Sequence, residues 1–189
     1  MSNKLNETES FHGICLPLSA LRTEKSSGIG EFLDLLPVID WMKKTNFNVI
    51  QLLPLNDTGH DPSPYNPLSS CALHPIYLSL QALPCIEKYP DLQNALSLFG
   101  TLNSTRRISY QEVLNQKLTI LRKYCSYEGV RICQDQYHRF ISEHAWVEMY
   151  AIFKTMKAHF QEKAWWDWPE EMNTQSSLQY KDELCLLAH

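Results

Sequence analysis

The positions from Asp57 to Asn66 read Asp-Thr-Gly-His-Asp-Pro-Ser-Pro-Tyr-Asn. They gather carboxylates, hydroxyls, an amide, an imidazole and a phenol ring into one short stretch. That mixture suits a hydroxyl-rich ligand. Carboxylates and amides offer paired hydrogen bonds, and an aromatic ring packs on the apolar C–H face of a pyranose. The competing reading is a turn-rich connector whose Asp and Ser side chains satisfy their own backbone, and composition alone favours it. Asp57 and Asp61 could pair for acid–base work. Both lie in a polar stretch with no visible apolar wall to raise a pKa, so the pairing is the weaker reading.

Other chemistries find less support. His60 and His74 have no His, Cys or Glu partner at i+3 or i+4, so no metal site is expected. No G-x-S-x-G nucleophile elbow occurs. Gly28-Ile29-Gly30 is half of a dinucleotide fingerprint without its third glycine, and no cofactor is expected. The 6 cysteines are irregularly spaced and form no C-x-x-C. They read as free buried thiols of a reducing cytoplasm. Trp165-Trp166-Asp167-Trp168-Pro169 could be a stacking platform. The favoured reading is packing at the end of a helix that Pro169 stops.

The chain has 189 residues, of which 44% are hydrophobic and 20% charged, with a net charge of -4. This is a folded, slightly acidic chain, which argues against a nucleic-acid partner. No run approaches the ~18 apolar residues of a membrane span, so no membrane partner is expected. Residues 1–12 form a polar leader without the apolar core of a signal peptide, consistent with a cytoplasmic location.

These residues need elements to position them. Gly13 to Leu18 is an unalternating apolar run, read as a fully buried strand. Phe32, Leu35, Leu36 and Ile39 fall at helical spacing, with Pro37 in the first turn of a second helical piece. Asn48 to Leu55 reads as a second buried strand. Strand, helix, strand is the βαβ signature of a parallel sheet. The polar loop 56–70 follows the second strand, where parallel α/β folds carry their chemistry. From about Ala82 the pattern turns helical. Helices are predicted over 110–126, with Tyr110, Val113, Leu114, Lys117, Leu118 and Leu121 on one stripe, and over 136–161. A turn at Glu128-Gly129 separates them, and 170–189 reads as a disordered or frame-shifted tail.

Taken in order, these segments resemble a known family. Gly13 to Leu21, Gly28-Ile29-Gly30, Gln51 to Leu55, Thr58-Gly59 and Ser63-Pro64-Tyr65 are similar to the N-terminal part of the amylomaltases, which are 4-alpha-glucanotransferases. Tyr110 with Lys117, Phe140 to Ala145, Tyr150-Ala151, Lys157, Phe160 and Trp165 to Pro169 resemble the family's next blocks. His74 stands before Pro75 where many members carry Asn, and Cys71 stands where a larger apolar residue is common.

The resemblance implies an α/β fold: a partial TIM (β/α)8 barrel with an α-helical insertion. Residues 13–81 would hold the first β/α units and the sugar-binding loop 56–70, and residues 82–169 the helical insertion. Ser63 and Tyr65 would line the glucan groove, with Asp61 supporting the loop. The implied partners are malto-oligosaccharides or alpha-1,4-glucans, and the remainder of the enzyme if the gene is split. The implied reaction is retaining double displacement, in which a 4-hydroxyl of another glucan intercepts a glycosyl-enzyme. The family's catalytic carboxylates would lie beyond residue 189, so no catalytic residue is assigned here. The alternatives are a non-catalytic malto-oligosaccharide-binding module or inactive remnant, and an unrelated α-rich interaction protein.

Two parallel strands cannot close a barrel, and their faces lack partners. The 189-residue chain is therefore expected to expose apolar surface and to melt with marginal stability. Calorimetry of the purified chain checks this, and a sharp transition of a stable monomer is the contrary result.

Overall fold

The computed structural model describes residues 10–128 and 134–169. The predicted tail 170–189 and part of the Glu128-Gly129 turn lie outside them. The chain forms two compact units, Met1–Ile132 and Cys133–His189.

The first unit opens with β1 (Gly13–Leu16), α1 (Leu35–Thr45) and β2 (Val49–Leu52). β1 and β2 pair in parallel, from Gly13 against Val49 to Leu16 against Leu52. The predicted βαβ order holds, but the burial differs. Both strands alternate exposed and half-buried residues, because among the described residues the sheet has two strands and nothing covers both of its faces. α1 behaves similarly. A 3-10 turn, Phe32–Asp34, leads into it, and Pro37 falls in its first turn, where a missing N–H loses no intrahelical bond. Met42 is its one buried residue, while Leu36, Ile39 and Trp41 are exposed. The expected amphipathic stripe is half covered: Phe32 and Leu35 pack against the first core, whereas Leu36 and Ile39 face outward.

The core of this unit lies instead among the segments after each strand and the later helices. α2 (Pro90–Ser97), α3 (Phe99–Asn103) and α4 (Tyr110–Glu128) follow three 3-10 turns, the first over Pro75–Tyr77. Leu18, Ile29, Ile76, Leu92, Phe99 and Leu114 are central to the buried cluster. α4 follows its predicted stripe, with Val113, Leu114 and Lys117 buried, and it also buries Ile120 outside that stripe. α2 and α3 fall in the region read as helical from about Ala82 but are not placed individually, since at 8 and 5 residues each is too short for a sustained helical period. Gly28-Ile29-Gly30 is packed rather than phosphate-binding. A Cβ on Gly30 would sit 1.9 Å from the carbonyl oxygen of Leu18, and Ile29 is fully buried. The thiols of Cys15, Cys71, Cys85 and Cys125 are free, as read, but Cys15, Cys71 and Cys125 are exposed rather than buried. Cys15, for instance, points from an uncovered sheet.

The second unit contains α5 (Gln134–Glu143) and α6 (Trp146–His159). The single helix expected over 136–161 is broken at His144. There the backbone N–H bonds to Ile141 three residues back, and ring Nδ1 bonds to the Phe140 carbonyl at 2.8 Å. The last turn tightens and closes. Ile152, Met156 and Trp168 form a small core with Phe153 and Phe160. The tryptophan cluster splits: Trp168 packs, whereas Trp165 and Trp166 stay exposed. Among the described residues no helix is long and apolar enough to cross a membrane.

One charged residue sits inside the first core. Lys117 lies on the apolar stripe of α4 and is 0% exposed. Its Nζ donates to Glu31 Oε1 at 2.5 Å, to the Ile76 carbonyl at 2.6 Å and to the Leu78 carbonyl at 2.9 Å. Three donors meet three acceptors, which is what a buried ammonium requires. Burial pushes the Lys117 pKa down, and the Glu31 carboxylate opposes that shift. Glu31 also accepts the Ser27 N–H at 3.2 Å. Its own N–H donates to buried Asp34 at 2.8 Å, which also takes the Thr23 and Ser26 hydroxyls.

Lys117→Met strands a buried carboxylate and is expected to lower the unfolding free energy by about 3–5 kcal/mol in urea titrations. The double variant Glu31→Gln/Lys117→Met removes both charges and should regain most of that loss. Equal losses in single and double variants would contradict the pairing.

Candidate functional site

The loop 56–70 leaves the carboxyl end of β2 and is closed at its base. Asn56 bridges Leu73 in antiparallel fashion. The Asp57 N–H donates to the Ala72 carbonyl at 2.8 Å, the Leu68 N–H to the Asp57 carbonyl at 2.7 Å, and the His74 N–H to the Leu55 carbonyl at 2.9 Å. The segment is therefore a compact loop with pinned ends.

Its base is dry, contrary to the reading of Asp57 as a solvated side chain. Asp57 and His74 are each 3% exposed. Asp57 folds back on its own turn, where Oδ1 accepts the Gly59 N–H at 2.7 Å. His74 Nε2 lies 3.7 Å from the same oxygen, 2.9 Å from the Gly59 carbonyl and 2.9 Å from Tyr110 Oη. On the other side of the ring, Nδ1 accepts the Ile76 N–H at 3.1 Å. An accepting Nδ1 leaves Nε2 as the protonated nitrogen of the neutral ring. His74 thus caps the Pro75–Tyr77 turn with one nitrogen and serves the loop with the other.

Gly59 takes φ +61°, and a Cβ there would meet Leu68 Cδ1 at 2.9 Å. A left-handed turn packed this closely suits glycine. Beyond it the loop rises to the surface. Asp61 Oδ1 accepts the Ser63 N–H at 2.8 Å, and Oδ2 accepts from the Asn66 amide at 2.9 Å. These bonds, Asn66 first, hold the Asp61 carboxyl below the usual carboxylate pKa. The Asp61 carbonyl also accepts the Thr58 hydroxyl at 2.6 Å. Ser63 is half-buried, with Oγ 3.4 Å from the Tyr65 N–H. The Tyr65 ring is 69% exposed. Asp61, Ser63 and Tyr65 therefore occupy one turn, with Asp61 bonded to its own loop and the Tyr65 ring presented to solvent. His60 joins the loop to α4, its Nδ1 lying 2.9 Å from Gln111 Oε1.

Sequence reasoning misses the supporting layer: it weighs His74 as a metal ligand and as a departure from the family pattern, and Tyr110 as part of a helix stripe and of a family-like block, but assigns neither a role under the loop. The available signal was a polar ring at each of two positions that the neighbouring pattern marks as apolar. Among the described residues no group of three or more His, Cys, Asp or Glu side chains is placed to hold a metal ion.

Burial pushes the Tyr110 pKa from 10.0 up to about 12; a hydrogen bond with Thr58 partly opposes this, while Tyr77, Asp57 and Asp61 add to it. The folded state therefore holds the neutral phenol. Its contribution to stability is complete below the unfolded value of 10.0 and is lost as pH rises through about 12. The wild-type chain is expected to lose stability more steeply over this interval than Tyr110→Phe. The wild-type-minus-variant phenolate absorbance should show a late-titrating group, whereas a difference midpoint near 10.0 would contradict the buried network.

Comparison with known proteins places the chain in a family. The family model described as 4-alpha-glucanotransferase matches residues 16–185. A 4-alpha-glucanotransferase of Chlamydia pneumoniae is 42% identical over 181 residues, covering 92% of this chain and 34% of that protein. A 4-alpha-glucanotransferase of Clostridium butyricum is 28% identical over 163 residues, covering 83% of this chain and 33% of that protein. The crystal structure of amylomaltase from Corynebacterium glutamicum matches with a TM-score of 0.69 at 18% identity, covering 94% of this chain and 26% of that one. The chain spans about a third of the length of these curated relatives. Its mixed α/β fold is shared with the amylomaltase structure, and by the family match the chain belongs to the 4-alpha-glucanotransferase family.

Proposed function

We propose that this chain supplies the first part of a glucan-transferring barrel, including one wall of its substrate groove. The observation that carries the reading is the pinned loop at the carboxyl end of β2, where Tyr65 is 69% exposed beside Ser63. In this reading the Tyr65 ring packs on a glucose face, the Ser63 hydroxyl bonds a sugar hydroxyl, and Asp61 braces the turn that carries both. The substrate class is malto-oligosaccharides or alpha-1,4-glucans.

β1 and β2 would be the first two strands of a (β/α)8 barrel, residues 82–169 its helical insertion, and the chain a cytoplasmic protein. The strand edges and the exposed Leu36 and Ile39 of α1 would then receive later strands and helices. The reaction is transfer of a glucan segment to a new 4-hydroxyl. A nucleophilic aspartate, a glutamate acid/base and a supporting aspartate would all come from beyond residue 189.

Division of labour gives the test. Incubated with maltotriose, the 189-residue chain alone is expected to produce neither glucose nor longer glucans. Turnover by this chain would overturn the assignment of the catalytic carboxylates to sequence beyond it.

A further inference from the structure

The Gly59 peptide is held at both of its polar groups. Its N–H donates to Asp57 Oδ1 at 2.7 Å, and its carbonyl accepts from His74 Nε2 at 2.9 Å, with the Tyr110 hydroxyl at 3.4 Å. The left-handed φ of +61° lies inside the turn that the Asp61 N–H closes on the Thr58 carbonyl at 3.2 Å, directly before Asp61, Ser63 and Tyr65. The Gly59 peptide is thus the inner anchor of the turn from which the outer residues leave.

We infer that His74 is a positioning residue: through Nε2 it locks the Gly59 peptide, and so presets the outer turn that presents Ser63 and Tyr65. The consequence for glucan rests on the functional reading above, whereas the consequence for the loop does not. Three points support the inference. The ring is buried, and a buried ring nitrogen is costly unless its bonds are made. The two nitrogens have separate duties, because Nδ1 caps the Pro75–Tyr77 turn through Ile76. Tyr110 approaches Nε2 at 2.9 Å and narrows the positions the ring can take.

That division makes the role separable from mere capping. Asn at position 74 can place an acceptor near Nδ1 and keep the cap, since Asn is among the preferred N-cap residues. Its side chain is one atom too short to reach the Gly59 carbonyl. Gln places an amide donor at the distance of Nε2.

The experiment is amide hydrogen exchange on the whole chain carrying His74→Ala, His74→Asn or His74→Gln, with α4 as internal reference. In the Ala and Asn variants, exchange over 59–66 is expected to rise at least about fivefold while α4 is unchanged, and Gln is expected to restore most of the protection. Full protection in the Asn variant would reduce His74 to a cap and overturn the inference, as would unchanged exchange in the Ala variant. Tyr110→Phe, which deletes a single hydroxyl, serves if the position-74 variants fail to fold; unchanged 59–66 exchange there would count against the lock.

Maltoheptaose titration of the same proteins addresses the sugar step. The Ala variant should bind about tenfold more weakly than wild type, with no further loss when it is combined with Tyr65→Ala. Absence of saturable binding by wild type, with the exchange pattern intact, would sink the groove reading and leave the lock standing. Wild-type affinity in a variant whose loop has loosened would overturn the positioning of Tyr65.

Discussion

A lysine with no exposure is tolerated only where its charge and all three of its donors are met. Lys117 satisfies that condition by drawing three parts of the chain to one point. Glu31 comes from the segment after β1, the Ile76 and Leu78 carbonyls come from the segment after loop 56–70, and Lys117 itself comes from α4. With a two-stranded sheet that encloses no core, this polar centre does much of what a central sheet does elsewhere. It specifies which segments meet and in which register. A purely apolar contact among Ile29, Ile76 and Leu114 could slide, but an ammonium bound to three oxygens cannot.

The same centre reaches the candidate site through two short routes. Tyr110 stands seven residues before Lys117 on α4, two turns up the same face and about 10.5 Å along the axis. Ile76 gives its carbonyl to Lys117 and its N–H to His74. One 3-10 turn thus faces the buried ion pair on one side and the histidine on the other. The loop that presents Tyr65 hangs from His74 and Tyr110, so it inherits its placement from the ion pair although it touches none of it. Rigid support beneath an exposed aromatic ring reduces the ordering cost of any ligand that packs on it.

The order β1, α1, β2 and the α4 stripe were legible because hydrophobic period and strand-like runs are local signals. The loop 56–70 was legible as the place to look because of its position after β2. Its interior was not. Asp57, His74 and Tyr110 are polar residues separated in sequence, and the burial of Asp57 and His74 goes with closure of the loop base by the Asn56–Leu73 bridge. Nothing local encodes that pairing. Lys117 gave a partial signal, being a charge in the middle of an apolar stripe, yet Glu31 stands 86 positions away and no periodicity links the two. The break at His144 shows the opposite limit, since a ring and a backbone bond within four residues ended a helix whose apolar pattern continues.

Burial of β1 and β2 was expected from their composition, and the structure locates the reason it is missing. An unalternating apolar strand suits a sheet covered on both faces. Cys15 and Val49 instead meet solvent, as do Leu33, Leu36 and Ile39 around α1. The apolar surface is continuous in kind with a core but lacks its other half, whereas the donors of Lys117 and the ring nitrogens of His74 already have their partners. The two features differ in what they require. Hydrogen-bonded networks close with local partners at fixed distances, and they close here within residues 10–128. Hydrophobic enclosure scales with area, and two strands with one helix do not supply enough of it. The candidate site can therefore be fully formed at its base while the sheet that carries it remains open.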